Sequence, residues 1–298
     1  MVRWLICSVW LFATPSYGQN ASLIYTDAEA NVVKTAMLAK ADKDVRAFFA
    51  DTFGQTLENS IALIGTSDPR LLNVHLSQAL KEMGRRQRSS PVDAATLCDN
   101  KPIGAAANRS YTVMCWLKPK AYDREWLALI EQQLPPILAH EFTHQLQYHL
   151  ANDDPPQRIN GTKELLLGPS WMVEGTAEVF ERIYSVQVQG KDAADTADQA
   201  LFNMQTRARR SRLTLTQLTE AGSTKGRGGY GTARFAAVVL AQRNRPEDLL
   251  EYFTVLGQTK DRDVAFEKVF GLSFDKFEGD FERIRRDFAA TKKYVKGQ

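Results

Sequence analysis

"HEFTHQLQYH", residues 140–149, holds three of the four histidines in a chain of 298 residues. On an α-helix each residue turns by about 100°. His140 and His144, four apart, therefore project within about 40° of each other, and Glu141 sits on the adjoining edge of that face. Two imidazoles at this spacing suit one Zn²⁺, with a carboxylate beside the metal to act on its bound water. The pattern has this meaning only on a helix, and the second half of the chain carries helical periodicity on both sides of it. His149, nine residues after His140, falls on the opposite side and cannot share the ion. It reads as an ordinary polar or cap residue, as does His75 on another predicted helix.

A catalytic zinc takes three protein ligands and leaves one position open. The extended metzincin pattern would need Gly at 147 and His at 150, where Gln147 and Leu150 stand, so the chain does not resemble that family. "SWMVEGTAEVFE", 170–181, offers another source. Glu174 follows His144 by 30 residues, on a helix whose expected N-cap is Ser170. Gly175 and Ala177 are small, which predicts close approach of this helix to the histidine helix. Glu178, one turn after Glu174, is placed to accept a hydrogen bond from the far nitrogen of a zinc histidine and so fix its tautomer.

The N-terminus has a different texture. Arg3, an apolar run from Trp4 to Ala13 and a small-residue end at Ser16-Tyr17-Gly18 predict a secretory signal peptide over 1–18. The run is too short to span a bilayer as a helix. The remaining chain carries no other long apolar stretch, so no membrane span is expected after cleavage. Removing Arg3 takes the formal charge from +3 to +2, too small to argue for nucleic acid. The basic clusters at Arg85–Arg88 and Arg207–Arg212 read as solvated helix ends or loops. Cys98 and Cys115, 17 apart, are the two cysteines left after cleavage; they can bridge in an oxidising compartment or pack as small buried residues.

Residues 19–118 read as a small α/β subdomain. A helix with Thr26 as N-cap and Glu29 as its capping-box partner runs to Gly54, followed by a strand at Ser60–Gly65, a helix at 70–84 and an edge strand at about 110–117. Residues 119–298 read as a helical subdomain, with segments near 123–134, 137–150, 170–186, 192–209, 230–243, 246–257, 261–270 and 274–290. Pro135-Pro136 is expected to restart the chain as the first turn of the histidine helix. "GSTKGRGG", 222–229, reads as a flexible loop leading to Tyr230, although G-x-G-x-x-G fits 226–231 formally.

H-E-x-x-H followed by Trp171-Met172-Val173-Glu174-Gly175-Thr176-Ala177 resembles the gluzincin metallopeptidases, seen in the aminopeptidase N family and in smaller secreted peptidase MA-like proteins. The likeness extends to "GYGTARFAAVVL", where Tyr230 occupies the place of a tyrosine that helps stabilise the oxyanion. It reaches the tail at Ala265–Phe281. The resemblance implies a mostly helical α+β protein of zincin-like fold, one zinc ion on His140, His144 and Glu174, Glu141 as general base and a peptide substrate. Aminopeptidases of that clan carry G-x-M-E-N on the edge strand, whose glutamate holds the substrate amine. Gly104-Ala105-Ala106-Ala107-Asn108 stands in the comparable place without it. Endo- and exopeptidase action both stay open, as do a zinc hydrolase of another substrate and a non-catalytic extracytoplasmic binding module that keeps the fold. The expected location is periplasmic or secreted.

Overall fold

A computed structural model of the chain describes residues 22–26, 32–57, 60–85, 92–98, 103–116, 124–153, 166–191, 197–221 and 228–297. The signal-peptide expectation, the Glu29 capping box and most of the loops at 151–168 and 222–229 lie outside them. The protein is mostly helical with one four-stranded sheet.

The sheet has the order β1-β2-β4-β3, with β1 Leu23–Thr26, β2 Ala62–Thr66, β3 Ile103–Asn108 and β4 Tyr111–Trp116. β1, β2 and β4 run parallel, and β3 returns antiparallel along β4. The expected strands at 60–65 and 110–117 are β2 and β4. The edge position falls to β3, not to 110–117: β4 is buried between β2 and β3. Asn108 closes the β3–β4 hairpin by accepting from the Ser110 and Tyr111 amides. β1, at residues 23–26, also occupies Thr26, the expected helix cap.

Side chains alternate across the sheet with the period of two that strands impose. Leu63, Met114 and Trp116 pack on α1 (Val32–Phe53) through Leu38, Val45 and Phe49. Ala62, Ile64, Tyr111 and Val113 pack on α2 (Pro69–Glu82) through Leu72, Leu76 and Ala79. A short helix, α3 (Ala94–Cys98), lies on the same side as α2, and Cys98 forms a disulfide with Cys115 of β4. Gly104 permits this arrangement. A Cβ there would stand 1.8 Å from the Leu97 carbonyl oxygen.

α4 is one continuous helix, Arg124–Leu150, with Pro135 and Pro136 inside it, where two helices are expected from the sequence. A proline supplies no N–H, so Pro136 leaves the Gln132 carbonyl without its helical donor. Gln189 Nε2 at 3.0 Å and Lys191 Nζ at 3.3 Å donate to that oxygen instead. α4 packs on β3, on α1 and on α5 (Ser170–Gln187). Gln145 ties it to the sheet by donating to Thr112 Oγ1 at 2.9 Å.

The remaining helices are α6 (Ala197–Ala208), α7 (Leu215–Ala221), α8 (Gly229–Arg243), α9 (Pro246–Thr259), α10 (Arg262–Phe270), α11 (Phe274–Arg286) and α12 (Phe288–Val295). The expected helix over 274–290 is two. Asp287 ends α11 and caps α12, accepting from the Ala289 amide. One apolar core runs from α1 through α4, α5, α8 and α9 to the C-terminal helices. Among the described residues no helix is long and apolar enough to cross a membrane.

Candidate metal centre

α4 and α5 bring the predicted ligands together. One ring nitrogen of His140, one of His144 and one oxygen of Glu174 lie within 4.8 Å of one another. His140 Nε2 is 3.5 Å and His144 Nε2 is 3.7 Å from the same Glu174 oxygen, Oε2. Glu174 keeps 25% of its side-chain exposure while the two histidines keep 14% and 12%, so the group is walled by protein yet open on one side.

Each histidine has its outer nitrogen held. His140 Nδ1 is 3.1 Å from Glu181 Oε2, and His144 Nδ1 is 2.9 Å from Gln147 Oε1. Gln147 donates its own amide hydrogen to the Val173 carbonyl at 2.8 Å, which turns its oxygen toward His144. In the neutral ring both acceptors favour the proton on Nδ1, which leaves the Nε2 lone pair free for a metal ion. Two imidazole nitrogens and one carboxylate oxygen, oriented this way, can hold a metal ion, and three such ligands are the set that leaves a fourth position open.

The expectation that Glu178 holds a histidine differs from the structure. Glu181 makes that bond, and Glu178 forms an ion pair with Arg234 of α8. Glu181 lies two turns beyond Glu174 and returns to nearly the same helical azimuth, whereas Glu178 is rotated by about 40° toward α8. Its carboxylate still stands within 4.8 Å of a His140 nitrogen and of Glu181. The cap of α5 is Pro169 rather than Ser170, and its carbonyl accepts from the Met172 amide. Gly175 is small for a different neighbour than expected. A Cβ there would meet the Ala233 carbonyl oxygen of α8 at 2.3 Å, so the close approach is to α8 and not to α4.

Electrostatics tie the group together. Burial disfavours a charged His140, but the hydrogen bonds it donates to Glu174 and Glu181 outweigh it and lift the pKa to about 10. Burial also opposes the Glu174 carboxylate, and the two histidines overcome it and hold that carboxyl well below the usual range. A proton thus stands in for a cation among these ligands. Glu141, beside them, is 6% exposed, and burial pushes its carboxyl pKa up.

The two other histidines stand apart from the metal group. His149 is exposed and lines a small pocket with Arg85, Arg109 and Asp153. His75 lies beside the Tyr25 ring, with centroids 6.4 Å apart. Tyr230, the second residue of α8, is 39% exposed and lines a cavity together with Glu178 and Arg234. Gln147 and Glu181 were not anticipated, although their spacings, three after His144 and seven after Glu174, place them on the ligand faces. In comparison with known proteins, the chain matches no family model, no curated protein and no solved structure.

Proposed function

We propose that the protein is an exported zinc-dependent hydrolase of gluzincin type, acting as a peptidase. The observation that carries this reading is the convergence of His140 Nε2, His144 Nε2 and Glu174 Oε2, with the buried Glu141 carboxylate alongside. Zinc, when bound, polarises a carbonyl oxygen and lowers the pKa of its water from 15.7 to about 7.

The protein's own groups do the rest. Gln147 and Glu181 hold both imidazoles by Nδ1 and aim their Nε2 atoms. Glu141 takes a proton from the attacking water and delivers it to the leaving amine, a role suited to a carboxylate whose pKa is raised by burial. The Tyr230 hydroxyl donates to the oxygen on which negative charge develops. β3, an antiparallel edge strand beside α4, offers its backbone to an extended peptide as an added strand. With alanine at 106 and 107, that strand carries no carboxylate to hold a substrate amine. The Cys98–Cys115 disulfide supports an oxidising location.

The test is cleavage of unfolded casein and a peptide library by zinc-loaded protein, with and without a chelator. Cleavage should be lost on chelation and return with zinc. Glu141→Gln should stay folded and zinc-loaded but lose turnover. Near wild-type turnover in that variant would sink the proposed base, and failure to cleave any peptide would redirect the site to another hydrolysable bond.

A further inference from the structure

The C-terminal end of α6 faces the N-terminal end of α8 across a cavity of about 320 Å³. This is at the small end of the range for ligand pockets. Arg207, Arg210, Arg234, Met204, Tyr230 and Glu178 line it. The two helix ends approach most closely at Gly228. A Cβ on Gly231 would stand 3.6 Å from the Arg207 backbone, and Gly228, at φ 80°, lies against the Ser211 backbone.

The cavity carries surplus positive charge. Glu178 balances Arg234 by pairing with it. Arg207 and Arg210 are exposed and have no carboxylate partner among the described residues. Two guanidiniums three residues apart on one wall of the cavity suit a planar anion such as a carboxylate.

The position of the cavity says whose anion this is. Glu178 forms part of its wall and stands within 4.8 Å of His140 and Glu181. It is one turn beyond the ligand Glu174, about 6 Å along α5. An extended peptide covers that distance in about two residues. We infer that the cavity, whose near wall lies about that far along α5 from the metal group, binds a carboxylate of the substrate a few residues from the cleaved bond. That carboxylate is either the C-terminus or an aspartate or glutamate side chain. The inference rests on the peptidase reading for the word substrate, while the anion site rests on the cavity alone.

Binding of four dansyl tetrapeptides to the zinc-loaded, full-length Glu141→Gln protein tests it by fluorescence anisotropy. The probes are dansyl-Ala-Ala-Ala-Glu, its C-terminal amide, its glutamine counterpart and the doubly neutral form. At least one carboxylate should improve affinity about tenfold over the neutral peptide, the contribution of one charge-assisted hydrogen bond. Which single neutralisation loses the gain identifies the carboxylate. Arg207→Gln/Arg210→Gln should bring the ratio of acidic to neutral affinity close to one, and added salt should reduce it. Using the ratio separates loss of the anion site from a general loss of binding. Equal affinities in the parent protein, a preference that survives in the double variant, or no binding of any probe would overturn the inference. A charge preference in a protein whose Glu141 form cleaves nothing keeps the anion site and removes the peptidase reading. Cleavage without any preference does the reverse.

Discussion

His140 and His144 each have an outer nitrogen whose partner decides what the inner nitrogen can do. Gln147 and Glu181 are the proposed positioning groups, bonded to the outer Nδ1 atoms rather than the inner Nε2 atoms. Gln147→Ala and Glu181→Ala should each weaken zinc binding by about 10–100-fold, measured by competition with a chromophoric chelator. Glu181→Gln, which keeps an acceptor, should recover most of the loss, and His149→Ala should change nothing. Equal losses in Glu181→Gln and Glu181→Ala would mean that charge, not orientation, is what Glu181 supplies. Tyr230 belongs to the same scale. Tyr230→Phe removes one hydroxyl; if that group donates only to the transition state, kcat should fall by roughly 10²–10³ with KM and zinc content little changed. An unchanged kcat would remove it from the reaction. The ligands were legible in the sequence because four-residue spacing on a helix states a direction. The partner of His140 was not, because choosing between Glu178 and Glu181 requires knowing which side of α5 the neighbouring α8 claims.

At the level of elements, α5 is held between α4 on one side and α8 on the other, and Gly175 sets the second spacing. Gly175→Ala would force a Cβ into the Ala233 carbonyl, which backbone rather than a flexible side chain must relieve. A destabilisation of about 1–3 kcal/mol is expected from such overpacking, seen as a shift in denaturant midpoint. Since Glu174 precedes this glycine, displacing α5 should weaken zinc binding as well. Loss of stability with unchanged zinc affinity would show that α5 yields on the α8 side alone. The long helices were read from their periodicity, with ends shifted by a few residues. β3 was not read as an element, because Gly104-Ala105-Ala106-Ala107 lacks the β-branched and aromatic residues that mark strands. Its strand character comes from pairing with β4 and from α3 and α4 on its two faces. α3 and α7 are too short for a periodic signal, and α4 hides its continuity behind two prolines whose freed carbonyl is satisfied from 57 residues away.

The whole molecule couples folding, metal and protons. In the metal-free protein His140 has a pKa of about 10, against an ordinary value of 6.5. A raised folded-state pKa contributes stability that is fully present below pH 6.5 and is lost as pH rises through about 10. Glu174, held low, contributes in the opposite sense, with stability present above its ordinary value of 4.5 and lost in acid. Zinc requires the neutral imidazole, so binding near pH 7 must displace the His140 proton. Apparent zinc affinity should therefore rise about tenfold per pH unit between pH 6.5 and 8.5, and a ligand that binds only the folded state adds its binding free energy to folding. The difference in unfolding free energy between zinc-loaded and zinc-free protein, at fixed free zinc, should widen by about 1.4 kcal/mol per pH unit over that interval. Groups remote from the centre cancel in this difference, and ionisation of the zinc-bound water steepens it above about pH 7, so the tenfold and 1.4 kcal/mol figures are the least slope expected. Calorimetry of zinc binding at pH 7.5, in buffers of different ionisation enthalpy, should count between about one and two protons released. A gap independent of pH together with no proton release would mean that His140 is already neutral in the free protein, and that Glu174 and Glu181 do not hold its proton.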